Sequence, residues 1–171
     1  MRNARLWFAL ILFVAVFVFA SNSQAISFQD EKGSLKNLKE INVNVIVDDE
    51  LVKAGVDRND IQTAAELKLR MAGIKVPTEK EVPKTPWIAF LFVELSGLKI
   101  TGTGMFALVV SVKLKQDVYL ARDTTIALFT DTWTDSRIGY VGIFRMSDIQ
   151  YLINPSVDEF INDYLSVNPK K

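Results

Sequence analysis

Apolar and polar positions alternate most regularly along Met105–Leu120. Phe106, Leu108, Val110, Val112, Leu114, Val118 and Leu120 fall on one side of that stretch. Ser111, Lys113, Lys115 and Asp117 fall on the other. A period of two marks a strand, and one wet face toward its second half argues an antiparallel meander rather than a doubly covered parallel sheet. The run is longer than a typical strand, so a bulge or bend is expected near Lys115–Asp117.

The same pattern read along the chain predicts the other elements. Ile41, Val43, Val45 and Val47 alternate with Asn42 and Asn44 as a first strand. A helix follows from an Asp57 N-cap to about Ala72, with Val56 stapled against Ile61 and Gly73 closing it. Ile74-Lys75-Val76 is a candidate short strand before a loop carrying Pro77, Pro83 and Pro86. Trp87–Leu95 is apolar at nearly every position, as expected of a strand covered on both faces. Residues 96–104, with Gly97, Gly102 and Gly104, should turn the chain back, and Arg122-Asp123-Thr124 should turn it again. Thr125–Thr134 returns as a strand rich in Thr, Ile, Phe and Trp.

The last element is an amphipathic helix from about Ser147 to Leu165. Its stripe runs through Ile149, Ile153, Val157, Phe160, Ile161 and Tyr164, with a Ser147/Gln150 capping box. Pro155 predicts a kink or break after Leu152–Ile153. The order β-α-(β)-β-β-β-α predicts an α+β fold: a mostly antiparallel sheet of 4–5 strands with two helices packed on one face.

Before all of this stands a different pattern. Arg2 and Arg5 precede an unbroken apolar run, Leu6–Ala20, and Ser23-Gln24-Ala25 offers small residues at a cleavage site. This is the layout of a secretory signal peptide, residues 1–25, cleaved after Ala25. The run is shorter than a comfortable bilayer span, so membrane contact is expected only through residues 6–20 and only where the signal is retained. Residues 26–37 read as a flexible lead, 38–166 as one domain and 167–171 as a polar tail. The expected location is periplasmic or secreted.

Composition narrows the chemistry. Beyond residue 25 the chain has 18 basic and 20 acidic residues, a net charge of −2 with no basic block, so nucleic-acid binding is not expected. The chain has neither cysteine nor histidine. Thiol nucleophiles, disulfides, lipid attachment through a cysteine after the signal, His-dependent triads and Cys/His metal sites are all excluded. No cofactor, metal site or catalytic residue is expected.

The polar constellation with most to offer is Asp131-Thr132-Trp133-Thr134-Asp135-Ser136-Arg137. Strict alternation puts Asp131, Trp133 and Asp135 on one face, an arrangement for sugar chemistry or cation recognition. The bland reading is a strand end whose Trp133 caps the core. Asp48-Asp49-Glu50 reads as a solvated strand end, and Gly102-Thr103-Gly104 as a hairpin turn, because a strand rather than a helix follows it. Gly139–Phe144 reads as a glycine-punctuated connection into the final helix. Trp87, Asp131, Trp133, Asp135, Arg137 and Tyr140 make up the candidate binding surface.

Four blocks carry a resemblance: Leu38–Val47, Glu66-Leu67-Lys68-Leu69-Arg70-Met71-Ala72-Gly73-Ile74, Asp131-Thr132-Trp133 and Asp158-Glu159-Phe160-Ile161-Asn162-Asp163-Tyr164-Leu165. Together they look like small exported bacterial proteins with no assigned activity. The element order is also similar to the small α+β domain of TolB-like envelope proteins, a likeness of fold that transfers no function. The resemblance implies an exported α+β domain and no reaction.

The leading expectation is therefore a non-enzymatic exported domain that binds a protein or cell-envelope component by sheet-edge or groove recognition, with Trp87, Trp133 and Tyr140 as anchors. The alternative is a carboxylate-dependent, glycan-acting enzyme using Asp131 and Asp135. A further alternative is a carrier of a small apolar ligand held between helices and sheet.

Overall fold

Four strands hydrogen-bond in the order β1-β2-β3-β4 in the computed structural model, which describes residues 28–78, 80–81 and 88–169. The side chains of residues 28–30, 144 and 147 are outside the description, as are residues 1–27, Trp87 and the last two lysines. The export pattern, the Trp87 anchor and the Ser147 capping box thus lie outside the described residues.

β1 (Ile41–Val47) runs parallel to β2 (Ala89–Ile100), with Ile41 opposite Ala89 and Val47 opposite Leu95. A parallel pair needs a crossover, and the intervening chain supplies α2 (Asp49–Lys53) and α3 (Arg58–Met71), numbered after α1 (Phe28–Ser34). β2, β3 (Met105–Leu120) and β4 (Asp123–Gly142) then form an antiparallel meander. A 3₁₀ segment, Ile143–Ile149, leads into α4 (Gln150–Val167). The expected α+β class holds, with a mostly antiparallel sheet and its two long helices, α3 and α4, on one face.

The core lies between that face and the helices. Ile41 and Val43 of β1, Leu91 and Val93 of β2, Leu108 to Leu114 at alternate positions of β3, and Trp133 of β4 are all buried. They meet Ile61, Ala65 and Leu69 of α3 and Ile153, Val157 and Phe160 of α4 in one cluster. Asp57 caps α3 by accepting the Asn59 N–H at 2.7 Å, and Gly73 takes the left-handed conformation (φ 83°) that ends it.

Several expectations change. Ile74–Val76 contributes a single bridge, Lys75 to Glu40, and not a strand. β2 runs on to Ile100, so the turn is confined to residues 101–104, and among the described residues no helix covers its second face. β4 extends to Gly142 through the glycines read as a connection. Gly139 belongs in that strand because α4 lies close over it: a Cβ there would come 2.7 Å from Leu152 Cδ2. Pro155 does not break α4; its ring is exposed, and the non-helical backbone lies earlier, at Arg145 (φ −125°). The lead is not flexible throughout. It forms α1, and Leu35 after it is fully buried. Asn168, expected in a polar tail, donates its amide to the carbonyls of Leu35 and Tyr164, both at 2.9 Å.

Candidate functional site

One inserted residue sets the geometry of the candidate surface. Leu114 lies opposite Trp133 and Lys115 opposite Asp131, so Thr132 is an extra residue in β4. The expected bulge is therefore present, at the Leu114/Lys115 step. It is pinned from three sides. The Thr132 carbonyl accepts the Ser34 hydroxyl at 3.0 Å, Thr132 Oγ1 accepts the Gln116 amide at 2.8 Å, and the same hydroxyl reaches the Leu114 carbonyl at 3.4 Å.

A bulge interrupts alternation, so residues on its two sides change faces. Trp133 and Asp135 share the helix face with their partners Leu114 and Val112. Asp131 shares the opposite face with Lys115, which it meets at 3.5 Å. The expectation that Asp131, Trp133 and Asp135 share one face is corrected. The two carboxylates are divided by the sheet and do not form a pair of the kind glycoside chemistry requires.

On the helix face, Trp133 is 3 % exposed. Its Nε1 donates to Asp163 Oδ2 at 3.0 Å, and its ring stands edge-on to Phe160 at 5.1 Å. Asp163 Oδ1 also meets Lys32 Nζ at 2.6 Å. That hydrogen bond, reinforced by the carboxylate charge, raises the Lys32 ammonium above its ordinary 10.5. Arg137 Nε donates to Asp135 Oδ2 at 2.8 Å and to Ser156 Oγ of α4 at 3.1 Å. Trp133, Asp135 and Arg137 thus fasten β4 to the helices.

Among the described residues, no helix lies on the other face of the sheet. Its middle is polar: Lys113 donates to Glu94 at 2.5 Å, and the hydroxyls of Ser111 and Ser136 meet at 2.8 Å. The Glu94 contact holds the Lys113 ammonium above its ordinary 10.5. Beside it, Phe90 and Phe129 pack edge to face at 5.7 Å, and Lys115 Nζ sits 5.2 Å from the Phe92 ring centre.

Toward the β2–β3 turn the same face becomes apolar. Leu98, Ala107 and Tyr140 lie in one row across three strands, and Ser96, Val109 and Ile138 in the next. Leu98 is 76 % exposed, Val109 43 %, Ile138 77 % and Tyr140 64 %. A shallow depression of about 270 Å³ is lined by Leu98, Ala107, Val109 and Ile138 together with Asp48 and Ser96. Of the sequence-predicted surface, Tyr140 belongs to this patch. Leu98, Val109 and Ile138 were missed. Their signal was an apolar first half of β3 on both faces, where Ala107 and Val109 occupy positions that turn polar from Ser111 onward.

The remaining candidates have local duties. Asp48 Oδ2 accepts the Gly97 N–H at 3.1 Å, Asp49 faces Arg58 at 3.4 Å, and Gly102 and Gly104 take positive φ in the hairpin turn. Among the described residues, no cluster of three or more carboxylates is placed to hold a metal ion. No protein-family model matches the chain, and no curated protein matches it significantly.

Proposed function

We propose that the chain is an exported, non-enzymatic domain that binds a protein of the cell envelope through the sheet face opposite its described helices. The observation that carries this reading is the exposed apolar patch of Leu98, Val109, Ile138 and Tyr140 on a face that none of the described helices covers. Aliphatic and aromatic side chains grouped in this way, with Asp48, Ser96 and the Ser111–Ser136 pair around them, have the apolar-centre, polar-rim layout of protein interfaces. A shallow open depression suits the apolar surface of a folded partner better than an enclosed small molecule. The signal-like Arg2–Ala25 segment supports export into a periplasmic or extracellular setting.

The test is retrieval of partners from a cell-envelope extract with the wild-type protein, Ile138→Glu and Tyr140→Ala. Both side chains are mostly exposed, so the variants should melt with the wild type to within about 0.5 kcal/mol. A partner retained by the wild type and lost from both variants supports the reading. An unchanged set of partners overturns it.

A further inference from the structure

The last rows of the meander are regular. Ile138 to Gly142 of β4 face Val109 to Met105 of β3 one for one, and both register shifts lie elsewhere, at Leu114/Lys115 and Tyr119/Leu120. The Ile143 N–H donates to the Gly104 carbonyl at 2.9 Å. In an antiparallel pair, residues that turn their backbone groups toward the partner strand alternate with residues that turn them away. Gly139 and Val141, in phase with Ile143, therefore bond to β3. Ile138, Tyr140 and Gly142 aim N–H and C=O at the outer edge of the sheet. β4 is last in the strand order, so among the described residues no strand meets that edge.

A groove of about 280 Å³ is lined by Tyr140, Val141 and Gly142 of this edge and by Arg145, Tyr151 and Leu152 from the 3₁₀ segment and α4. Both tyrosines are exposed. The volume is small for an enclosed ligand and suits a side chain or two of an added strand. Arg145 donates Nε to Asp148 at 2.6 Å, and its side chain is mostly exposed, so the far edge of the guanidinium is presented to a carboxylate. Ile138–Gly142 itself carries no charge and no proline that would repel a strand. A Cβ at Gly142 would meet nothing within 4 Å, so the backbone there is open to approach.

We propose that Ile138–Gly142 takes up an extended segment of a partner protein as an added strand, apolar at alternate positions and with an acidic group against Arg145. Donors and acceptors repeating every second residue along an edge are matched by another extended backbone. Alternate side chains of the segment then lie beside Ile138 and Tyr140 on the outer face and against Tyr151 and Leu152 in the groove. The inference refines the reading above to one kind of segment, and rests on that reading for the partner being a protein.

Gly142 supplies the test. Its φ of −76° and ψ of 144° suit proline and alanine alike. Gly142→Pro removes the outward N–H without touching a bond to β3, and Gly142→Ala keeps it. The full-length wild-type chain, held in detergent, is panned against random dodecapeptides displayed on phage, and the enriched peptides are synthesised. Peptides apolar at alternate positions with one acidic residue should be enriched. Gly142→Pro should weaken their binding roughly ten-fold, because a hydrogen bond is lost and the ring obstructs the edge, while Gly142→Ala binds as the wild type does. N-methylating alternate amides of the peptides gives a second measurement on the wild-type chain alone. The phase that faces β4 should lose binding, and the phase that faces solvent should keep it. Equal binding by Gly142→Pro and wild type, equal loss in both methylation phases, or no enriched peptide overturns the strand addition. An envelope partner lost from Ile138→Glu yet retained by Gly142→Pro overturns it too, and leaves the patch reading standing.

Discussion

Trp133 Nε1 donates to Asp163 Oδ2 at 3.0 Å, and Asp163 Oδ1 meets Lys32 at 2.6 Å, so one buried carboxylate holds β4, α4 and α1 together. Asp163 is 6 % exposed, which makes its two partners decisive. Unpaired, a carboxylate in that position would be strongly unfavourable; paired on both oxygens, it orients the indole against Phe160.

Removing that acceptor should therefore be costly. Asp163→Ala leaves the buried indole N–H without its partner and opens a void beside it, and should lower stability by about 2–4 kcal/mol. Asp163→Asn keeps an acceptor oxygen for Trp133 and should lose about 1 kcal/mol. Urea unfolding of the two variants, compared through midpoints at equal slope, measures the difference. Equal losses would show that the indole contact contributes nothing. The half-exposed Lys32 partner adds little to either figure.

How far the sequence reached depends on the range of the forces involved. α3 was legible because its determinants are local: Asp57 at one end, Gly73 at the other and an apolar stripe between. β3 was legible because one of its faces is buried along most of its length. β4 was read short. Its outer half is exposed on both sides and shows no alternation, and its inner end carries glycines that look like a loop. Gly139 is there because Leu152, on a later helix, comes too close for a side chain. α1 was invisible for a similar reason. The groups that hold its end, Asp163 and Gln116, are distant in sequence. At the candidate site, residue types were read correctly but their faces were not. A single extra residue, Thr132, separates Asp131 from Trp133, and its place is set by pairing with β3 and by Ser34.

High pH should loosen the N-terminal tie. Tyr164 donates its hydroxyl to the Leu38 carbonyl at 2.7 Å, and burial raises its phenol above the ordinary 10.0. Lys32 is raised above 10.5 by its hydrogen bond to Asp163. For both groups the folded form holds its proton more tightly than the unfolded chain. Their contribution is therefore complete below pH 10 and is lost as pH climbs through the raised values. Thermal melts from pH 8 to 11.5 should show a falling midpoint above pH 10. Tyr164→Phe should cost about 1 kcal/mol at neutral pH and fall less steeply above pH 10, since one of the titrating groups is gone. The slope is not abolished, because Lys32, Lys75 and Lys113 are raised in the same direction. A variant with the wild-type slope would count against a role for the phenol.

Deleting Thr132 tests the bulge itself. Removing the extra residue restores strict alternation and leaves the other pairs in register, with Trp133 opposite Leu114 in the core and Asp131 opposite Lys115 on the outer face. The Asp131–Lys115 pair and the edge contact of Phe129 with Phe90 should therefore survive. The Ser34 hydroxyl and the Gln116 amide would both lose their Thr132 partners. The expected cost is about 1–3 kcal/mol, because two part-buried hydrogen bonds disappear. Thr132→Ala keeps the extra residue and its carbonyl, removes only the hydroxyl, and should cost about 1 kcal/mol. Chemical denaturation ranks the two. Amide exchange along Gln116–Leu120 checks the register, with protection retained in both variants. Loss of that protection in the deletion would show that Thr132 is not simply an extra residue and that the pairing of Asp131 with Lys115 depends on it.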